Sequence, residues 1–175
     1  MMTFRFAKCT VAVGVIGLAA VLPSDAQAAS ATATATVTIN AANSMAKTVD
    51  MSFGTIGTTA TAGTVVLGTD GSRTCTNVDC LAGSPGVAAS FDVTGNNNAT
   101  YSISLPSTAT LTGPGSPGTD MIANNFTSVP TPTGTLSGSG AETLLVGATL
   151  AVGTVSTQTA GTYTSTNFTV TVNYN

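Results

Sequence analysis

Residues 163–175 read Tyr-Thr-Ser-Thr-Asn-Phe-Thr-Val-Thr-Val-Asn-Tyr-Asn, and this stretch decides the fold class. From Phe168 onward every second residue is apolar, and the residues between are threonine or asparagine. Because successive side chains of a strand point to opposite faces, the alternation predicts a strand with one buried and one solvated face. The residues expected to face inward are Phe168, Val170, Val172 and Tyr174.

A second alternating stretch lies near the other end of the chain. Residues 31–40 read Ala-Thr-Ala-Thr-Ala-Thr-Val-Thr-Ile-Asn, which the same argument predicts to be a strand. Its apolar face consists of Ala31, Ala33, Ala35, Val37 and Ile39. We expect the two stretches to be complementary parts of one device, and the pattern leaves open whether they meet within one molecule or between two.

Residues 1–28 are typical of a secretory signal peptide rather than of the fold. Arg5 and Lys8 give a positive start, residues 11–22 are apolar, and residues 26–28 (Ala-Gln-Ala) form a small-x-small cleavage site. The apolar run is too short for a membrane span. We therefore expect export through the inner membrane to the periplasm, and from there to the cell surface or the extracellular space.

The rest of the chain consists of short alternating runs separated by Gly, Pro and Asn clusters. This spacing predicts an all-β, antiparallel sandwich of about seven strands, with residues 29–46 as an N-terminal strand and linker and residues 47–175 as one domain. The longest strict alternation, over residues 144–152, predicts a central strand. The cluster Gly-Asn-Asn-Asn at residues 95–98 predicts a hairpin turn.

Two weaker runs complete the sheet. Residues 49–53 predict the first strand of the domain, with the odd-numbered residues inward. Residues 120–126 predict a strand with Ile122 and Phe126 inward.

The charges exclude several classes of function. The chain has four Lys and Arg residues, seven Asp and Glu residues and no His, for a formal charge of −3. Only Lys47 and Arg73 are basic after residue 28, so there is no basic surface for nucleic acid. Without His, Ser-His-Asp and Cys-His sites and His-containing metal sites are impossible. Scattered carboxylates favour neither an enzyme nor a bound cofactor.

Cys75 and Cys80 are the only cysteines after the signal peptide. In an exported protein an even pair predicts a disulfide, and the spacing differs from the Cys-x-x-Cys of redox-active pairs. Asp70 and Asp79 flank this region and offer oxygen ligands for calcium. The one-three-five spacing of a calcium loop is missing, so a solvated loop without metal is favoured.

The chain resembles the DUF4402 family, which is similar to the spore-coat-U-like pilins of archaic chaperone–usher systems. The resemblance rests on residues 31–40, on Met-Ser-Phe-Gly-Thr-Ile at 51–56, on Gly-Thr-Tyr at 161–163 and on residues 168–174. It implies an immunoglobulin-like sandwich that lacks its last strand and is completed by the N-terminal arm of another subunit, a known mode of strand addition.

The same resemblance implies roles for both alternating stretches and a set of partners. The arm residues would be the donors, and the terminal residues would form the acceptor groove and the handle for a chaperone. The implied partners are further copies of the chain in a homopolymer, a periplasmic chaperone and an outer-membrane usher. In pilins of this kind the disulfide typically joins distant strands, whereas the pair at 75 and 80 is local.

Two other interpretations use the same residues. In the first, the arm fills the groove of its own molecule, and the protein is a self-complemented monomer, secreted or at the surface, with adhesion as one role open to it. In the second, the domain is a carbohydrate-binding or adhesive module, which needs exposed aromatic residues. Tyr163 is the one aromatic residue that suits this role, because the parity of most others points inward.

Overall fold

A computed structural model describes residues 34–37, 39, 42–165 and 167–175. The predicted signal peptide and the arm residues Ala31 and Ala33 lie outside the described residues. The chain divides into two units, Met1–Val37 and Thr38–Asn175. All the strands below belong to the second unit.

The described ranges contain thirteen antiparallel strands and no helix, so the predicted all-β class is confirmed, with more and shorter strands than expected. Within these ranges there is accordingly no helix that could cross a membrane. The strands are β1 Ser44–Val49, β2 Ile56–Thr58, β3 Gly63–Leu67, β4 Arg73–Thr76, β5 Val78–Cys80, β6 Ala89–Thr94, β7 Thr100–Ser104, β8 Thr108–Thr112, β9 Met121–Val129, β10 Thr133–Thr135, β11 Ala141–Val152, β12 Thr164–Ser165 and β13 Thr171–Tyr174.

The largest sheet has eight strands and is organised around β11. Its order is β1-β6-β11-β9-β8-β12, with β3 also paired to β11 and β4 paired to β3. The first half of β11 pairs with β6, its second half pairs with β3, and its other edge pairs with β9. The central strand predicted over residues 144–152 is therefore confirmed.

A three-stranded sheet, β10-β7-β13, faces part of the large sheet, and β2 and β5 form a separate two-stranded sheet. Tyr101 and Val170 on the three-stranded side pack in one buried cluster with Val93 and Leu144 of the large sheet, in a sandwich-like arrangement. The hairpin predicted at residues 95–98 is wrong, because β6 and β7 lie in different sheets. Both edges of β6 are already paired, with β1 and β11.

The side chains of β9 change parity within the strand. Asn125 has a φ of 48°, and the register against β11 shifts in the same region. Ala123 faces the core before this point and Phe126 turns inward after it, whereas Ile122 is 45% exposed. The prediction that Phe126 faces inward is confirmed and the one for Ile122 is wrong, because a bulge breaks the alternation.

The first strand of the domain begins at Ser44, earlier than predicted. Its register against β6 shifts after Lys47, and Val49 is 41% exposed rather than inward. The chain beyond β1 makes one isolated bridge, between Ser52 and Val87, and then buries Phe53. A single strand over residues 49–53 is therefore wrong.

The terminal stretch divides between the two sheets. β12 pairs with β8 of the large sheet, and β13 pairs with β7 of the three-stranded sheet. The predicted burial pattern is confirmed: Val170 is buried, Phe168, Val172 and Tyr174 are half-buried, and the residues between them are exposed. Only residues 171–174 of this run form a strand.

The interior consists of two apolar clusters, and three half-buried residues, Met51, Phe126 and Phe168, pack against both of them. The first cluster comprises Phe53, Val65, Leu67, Val78, Ala109, Met121, Ala123, Ala148, Leu150 and Val152. The second comprises Ala89, Phe91, Val93, Tyr101, Leu136, Leu144, Val146 and Val170.

Candidate functional site

A cleft of about 1400 Å³ opens over the inner face of the large sheet. One of its walls is formed by β1 and the chain that follows it, up to Thr58. The opposite wall is formed by Val155, residues 158–165 and residues 167–170. The floor is apolar and comes from β6, β8, β9 and β11, as Ala89, Phe91, Ala109, Ala123, Phe126 and Leu150.

Both walls end in strand edges that are unpaired among the described residues. β1, in the first wall, is an edge strand of the large sheet, and β13, which follows the second wall, is an edge strand of the three-stranded sheet. Residues 167–170, which precede β13 and line the cleft, belong to no strand. An edge of this kind presents backbone N–H and C=O groups to any extended segment that lies beside it.

Aromatic and methionine side chains occupy the middle of the cleft. The rings of Phe126 and Phe168 lie 5.3 Å apart, centre to centre, and are tilted by 42°. These two residues and Met51 are the ones that contact both core clusters, and all three line the cleft. The cleft therefore follows the seam between the two halves of the core.

The cleft carries no unpaired charge. Lys47 and Asp50 are the charged residues among those that line it, and they form an ion pair with each other at the exposed rim. Burying an unpaired charge is costly, so an occupant of this cleft should be uncharged and apolar on its inner face.

The four terminal residues singled out from sequence do not all reach the cleft. Phe168 and Val170 line it. Val172 and Tyr174 instead pack against the second core cluster. The Tyr174 hydroxyl donates to the Thr94 carbonyl oxygen at 2.9 Å, and burial raises the pKa of Tyr174 above its ordinary value.

The described arm residues are solvent-exposed and form no strand. Ala35 is exposed, Val37 is 86% exposed and Ile39 is 88% exposed. Val37 and Ile39 are among the large apolar side chains that the described part of the chain leaves exposed.

Sequence reasoning missed several residues that line the cleft, among them Met45, Phe91 and Phe126. Alternation identifies an inward-facing side chain, and it did so for Phe126. It cannot distinguish an inward residue covered by the opposite sheet from one that the opposite sheet leaves uncovered, because that depends on strands distant in sequence.

The predicted disulfide between Cys75 and Cys80 is confirmed, with a Cα–Cα distance of 6.2 Å. It joins β4 to β5, and β5 pairs with β2, which lines the cleft. Asp70 caps its own turn by accepting hydrogen bonds from the backbone and side chain of Ser72, which hold the pKa of its carboxyl below the ordinary value. In the described part of the chain, no group of three or more His, Cys, Asp or Glu side chains is placed to hold a metal.

One comparison with known proteins gives a match. A family model described as "Domain of unknown function (DUF4402)" matches residues 43–174. This range includes every residue that lines the cleft. No curated protein and no solved structure matches the chain.

Proposed function

This chain belongs to the DUF4402 family, and we propose that it is a structural, pilin-like subunit of a surface fibre. In this proposal the N-terminal arm of one copy lies as an extra strand in the cleft of the next copy, so that the fibre is a homopolymer built by strand exchange. The donor residues are Ala31, Ala33, Ala35, Val37 and Ile39, and the acceptor is the cleft between β1 and residues 167–170.

The observation that carries the proposal is the apolar cleft, bordered on one side by the edge strand β1 and on the other by residues 167–170, which lead into the edge strand β13. The large sheet offers the edge of β1, and the three-stranded sheet offers the edge of β13. One extended segment between them would cover the seam between the two core clusters and supply backbone hydrogen bonds to an unpaired edge.

The arm has the chemistry that this cleft requires. Residues 31–40 carry no charge and place their apolar side chains on one face. Ten residues extend about 33 Å as a strand. Burying Val37 and Ile39, which are exposed here, would contribute about 2 kcal/mol each.

The exposure of Ile39 supports exchange between copies rather than within one. Ile39 belongs to the same unit as the cleft and is 88% exposed. The four residues 40–43, which join Ile39 to β1, are long enough to form a hairpin loop that would place the arm in the cleft of its own molecule. A self-complemented monomer is therefore the outcome against which the proposal is tested.

Strand exchange in an exported protein also requires something to cover the cleft before assembly, because an exposed apolar groove beside a free strand edge promotes aggregation. We therefore include a periplasmic chaperone and an outer-membrane usher in the proposal, together with a final location at the cell surface.

The test compares the mature chain, residues 29–175, with a variant that lacks residues 29–40. Size-exclusion chromatography before and after boiling should show a ladder of multimers for the mature chain that collapses on heating. The deletion variant, produced with its chaperone, should be folded and monomeric. If the mature chain instead elutes as a monomer, and the variant without residues 29–40 is unfolded, the protein is self-complemented.

A further inference from the structure

We propose that β4 positions one wall of the acceptor cleft. Arg73 and the Cys75–Cys80 disulfide hold residues 53–58 at the distance from the opposite wall that an incoming strand needs. This inference rests on the proposed function and names the residues on which the shape of its acceptor site depends.

Residues 53–58 form part of the wall that begins with β1. They belong neither to the large sheet nor to the three-stranded sheet. Residues 53–55 belong to no strand, and β2 pairs with β5 alone among the described strands. Just before these residues, Ser52 makes an isolated bridge to Val87, and both partners lie outside the named strands. Because no ladder joins these residues to the large sheet or to the three-stranded sheet, other contacts must set their position.

Arg73 supplies one of these contacts with its guanidinium group. Its Nη1 donates to the carbonyl oxygens of Phe53 at 2.8 Å and Thr55 at 3.3 Å, and its Nη2 donates to that of Leu81 at 3.1 Å. The Leu81 amide in turn donates to the Thr55 oxygen at 3.2 Å. Gly54, with a φ of 71°, leaves room for this network, since a Cβ there would lie 2.6 Å from Nη1.

The disulfide supplies the second contact from the same face of β4. Arg73 and Cys75 are half-buried, whereas Thr74 and Thr76 between and beyond them are exposed. Cys75 is bonded to Cys80, and Cys80 is paired with Ile56 of the wall. Two successive inward-facing residues of β4 thus hold residues 53–58. Arg73 binds the beginning of this segment, and Cys75 is linked through Cys80 to its middle.

The type of each side chain fits a positioning role. Arginine presents five donors in a planar fork and can bind several carbonyl oxygens at once, which lysine cannot do in the same geometry. The ion pair found among the described residues joins Lys47 and Asp50, so the guanidinium of Arg73 is directed to backbone oxygens and not to a carboxylate. The dependence on a disulfide restricts a complete cleft to an oxidising compartment.

The experiment uses the mature chain with three changes: Arg73→Met, Arg73→Lys, and Cys75→Ser with Cys80→Ser. Thr74→Ala, on the exposed face of the same strand, is the matched control. Two quantities are measured for each variant: the fraction of multimer by size-exclusion chromatography, and amide hydrogen exchange of residues 53–58 compared with residues 144–150 in β11.

We expect Arg73→Met and the double cysteine variant to lower the multimer fraction about tenfold. Exchange at residues 53–58 should accelerate about tenfold, while exchange at 144–150 stays unchanged, because the opening is local. Arg73→Lys should fall between Arg73→Met and the unsubstituted chain, and Thr74→Ala should match the unsubstituted chain.

Two results overturn the inference while leaving the proposed function intact. The first is a multimer fraction that Arg73→Met does not change. The second is an equal acceleration at residues 53–58 and 144–150, which would mean that Arg73 stabilises the whole fold. If the unsubstituted mature chain forms no multimer, the proposed function fails first and the inference fails with it.

Discussion

Tyr101 is fully buried, and its hydroxyl donates to Glu142 Oε2 at 2.7 Å. Tyr101 belongs to β7 of the three-stranded sheet and Glu142 to β11 of the large sheet, so this hydrogen bond joins the two layers. The ring of Tyr174 lies 5.8 Å from that of Tyr101. Tyr101, Ile103 and Leu105 alternate with serines, which predicts that Tyr101 faces inward. No sequence signal identifies a partner 41 residues away.

Replacing Tyr101 by phenylalanine tests this contact. The change removes the hydroxyl and leaves the carboxylate of Glu142 without that donor, so the free energy of unfolding should fall by about 1–2 kcal/mol in urea denaturation. The control is Tyr163→Phe, whose hydroxyl donates to the exposed Thr159 oxygen at 2.8 Å and should matter little. Equal losses for the two variants would contradict the assigned role of Tyr101.

Tyr101 also makes the free energy of unfolding depend on pH in the alkaline range. Burial, reinforced by the hydrogen bond to Glu142, raises the pKa of Tyr101 far above its ordinary value of 10.0. A group with a raised folded-state pKa contributes stability that is complete below its unfolded pKa and is lost as pH rises toward the folded value. The free energy of unfolding should therefore fall above about pH 10, and less steeply in Tyr101→Phe. A pH dependence that this substitution leaves unchanged would contradict the assignment.

At the scale of elements, the sequence predicts strands that pair on both sides better than it predicts connections. The run at 144–152 has strict alternation because β11 lies in the middle of the large sheet, between β6 or β3 and β9. The turn at 95–98 has the glycine and asparagine of a hairpin. Turn chemistry does not reveal which sheet the next strand joins, and here the chain crosses to the other layer.

The candidate site was only partly predictable for a related reason. Phe168 and Val170 were found because they belong to one alternating run. Phe126 reaches the cleft through the bulge at Asn125, and Met51 does so from a segment outside any strand. Alternation predicts that both side chains face inward, but only the fold shows that they line an open cleft, because that depends on strands distant in sequence.

The arm makes its own prediction about register. Its Ala-Thr repeats look the same after a slide of two residues, so they cannot fix the position of the strand in the cleft. We expect Val37 and Ile39 to do so. Val37→Thr with Ile39→Thr should abolish multimers, whereas Ala31→Ser with Ala33→Ser should only reduce them, as counted by electron microscopy of fibres. Equal loss of fibres from both pairs would remove the register argument.

For the whole molecule, the cleft means that the core of a single chain is incompletely covered. The two apolar clusters meet at Met51, Phe126 and Phe168, each of which is only half-buried. A strand seated there would cover the seam, and a ligand that binds only the folded state stabilises it. Assembled subunits should therefore unfold at a higher temperature than the monomer fraction in calorimetry. Identical melting temperatures would show that the cleft remains unfilled in the assembly.

The most direct measurement is amide hydrogen exchange of residues 31–39, made separately on the monomer and multimer fractions of the mature chain. If the arm lies in the cleft of another copy, these amides exchange freely in the monomer and become strongly protected in the multimer, since protection follows stable backbone hydrogen bonding. Protection in the monomer would place the arm in its own cleft. Free exchange in both fractions would show that the arm is not the strand that completes the fold.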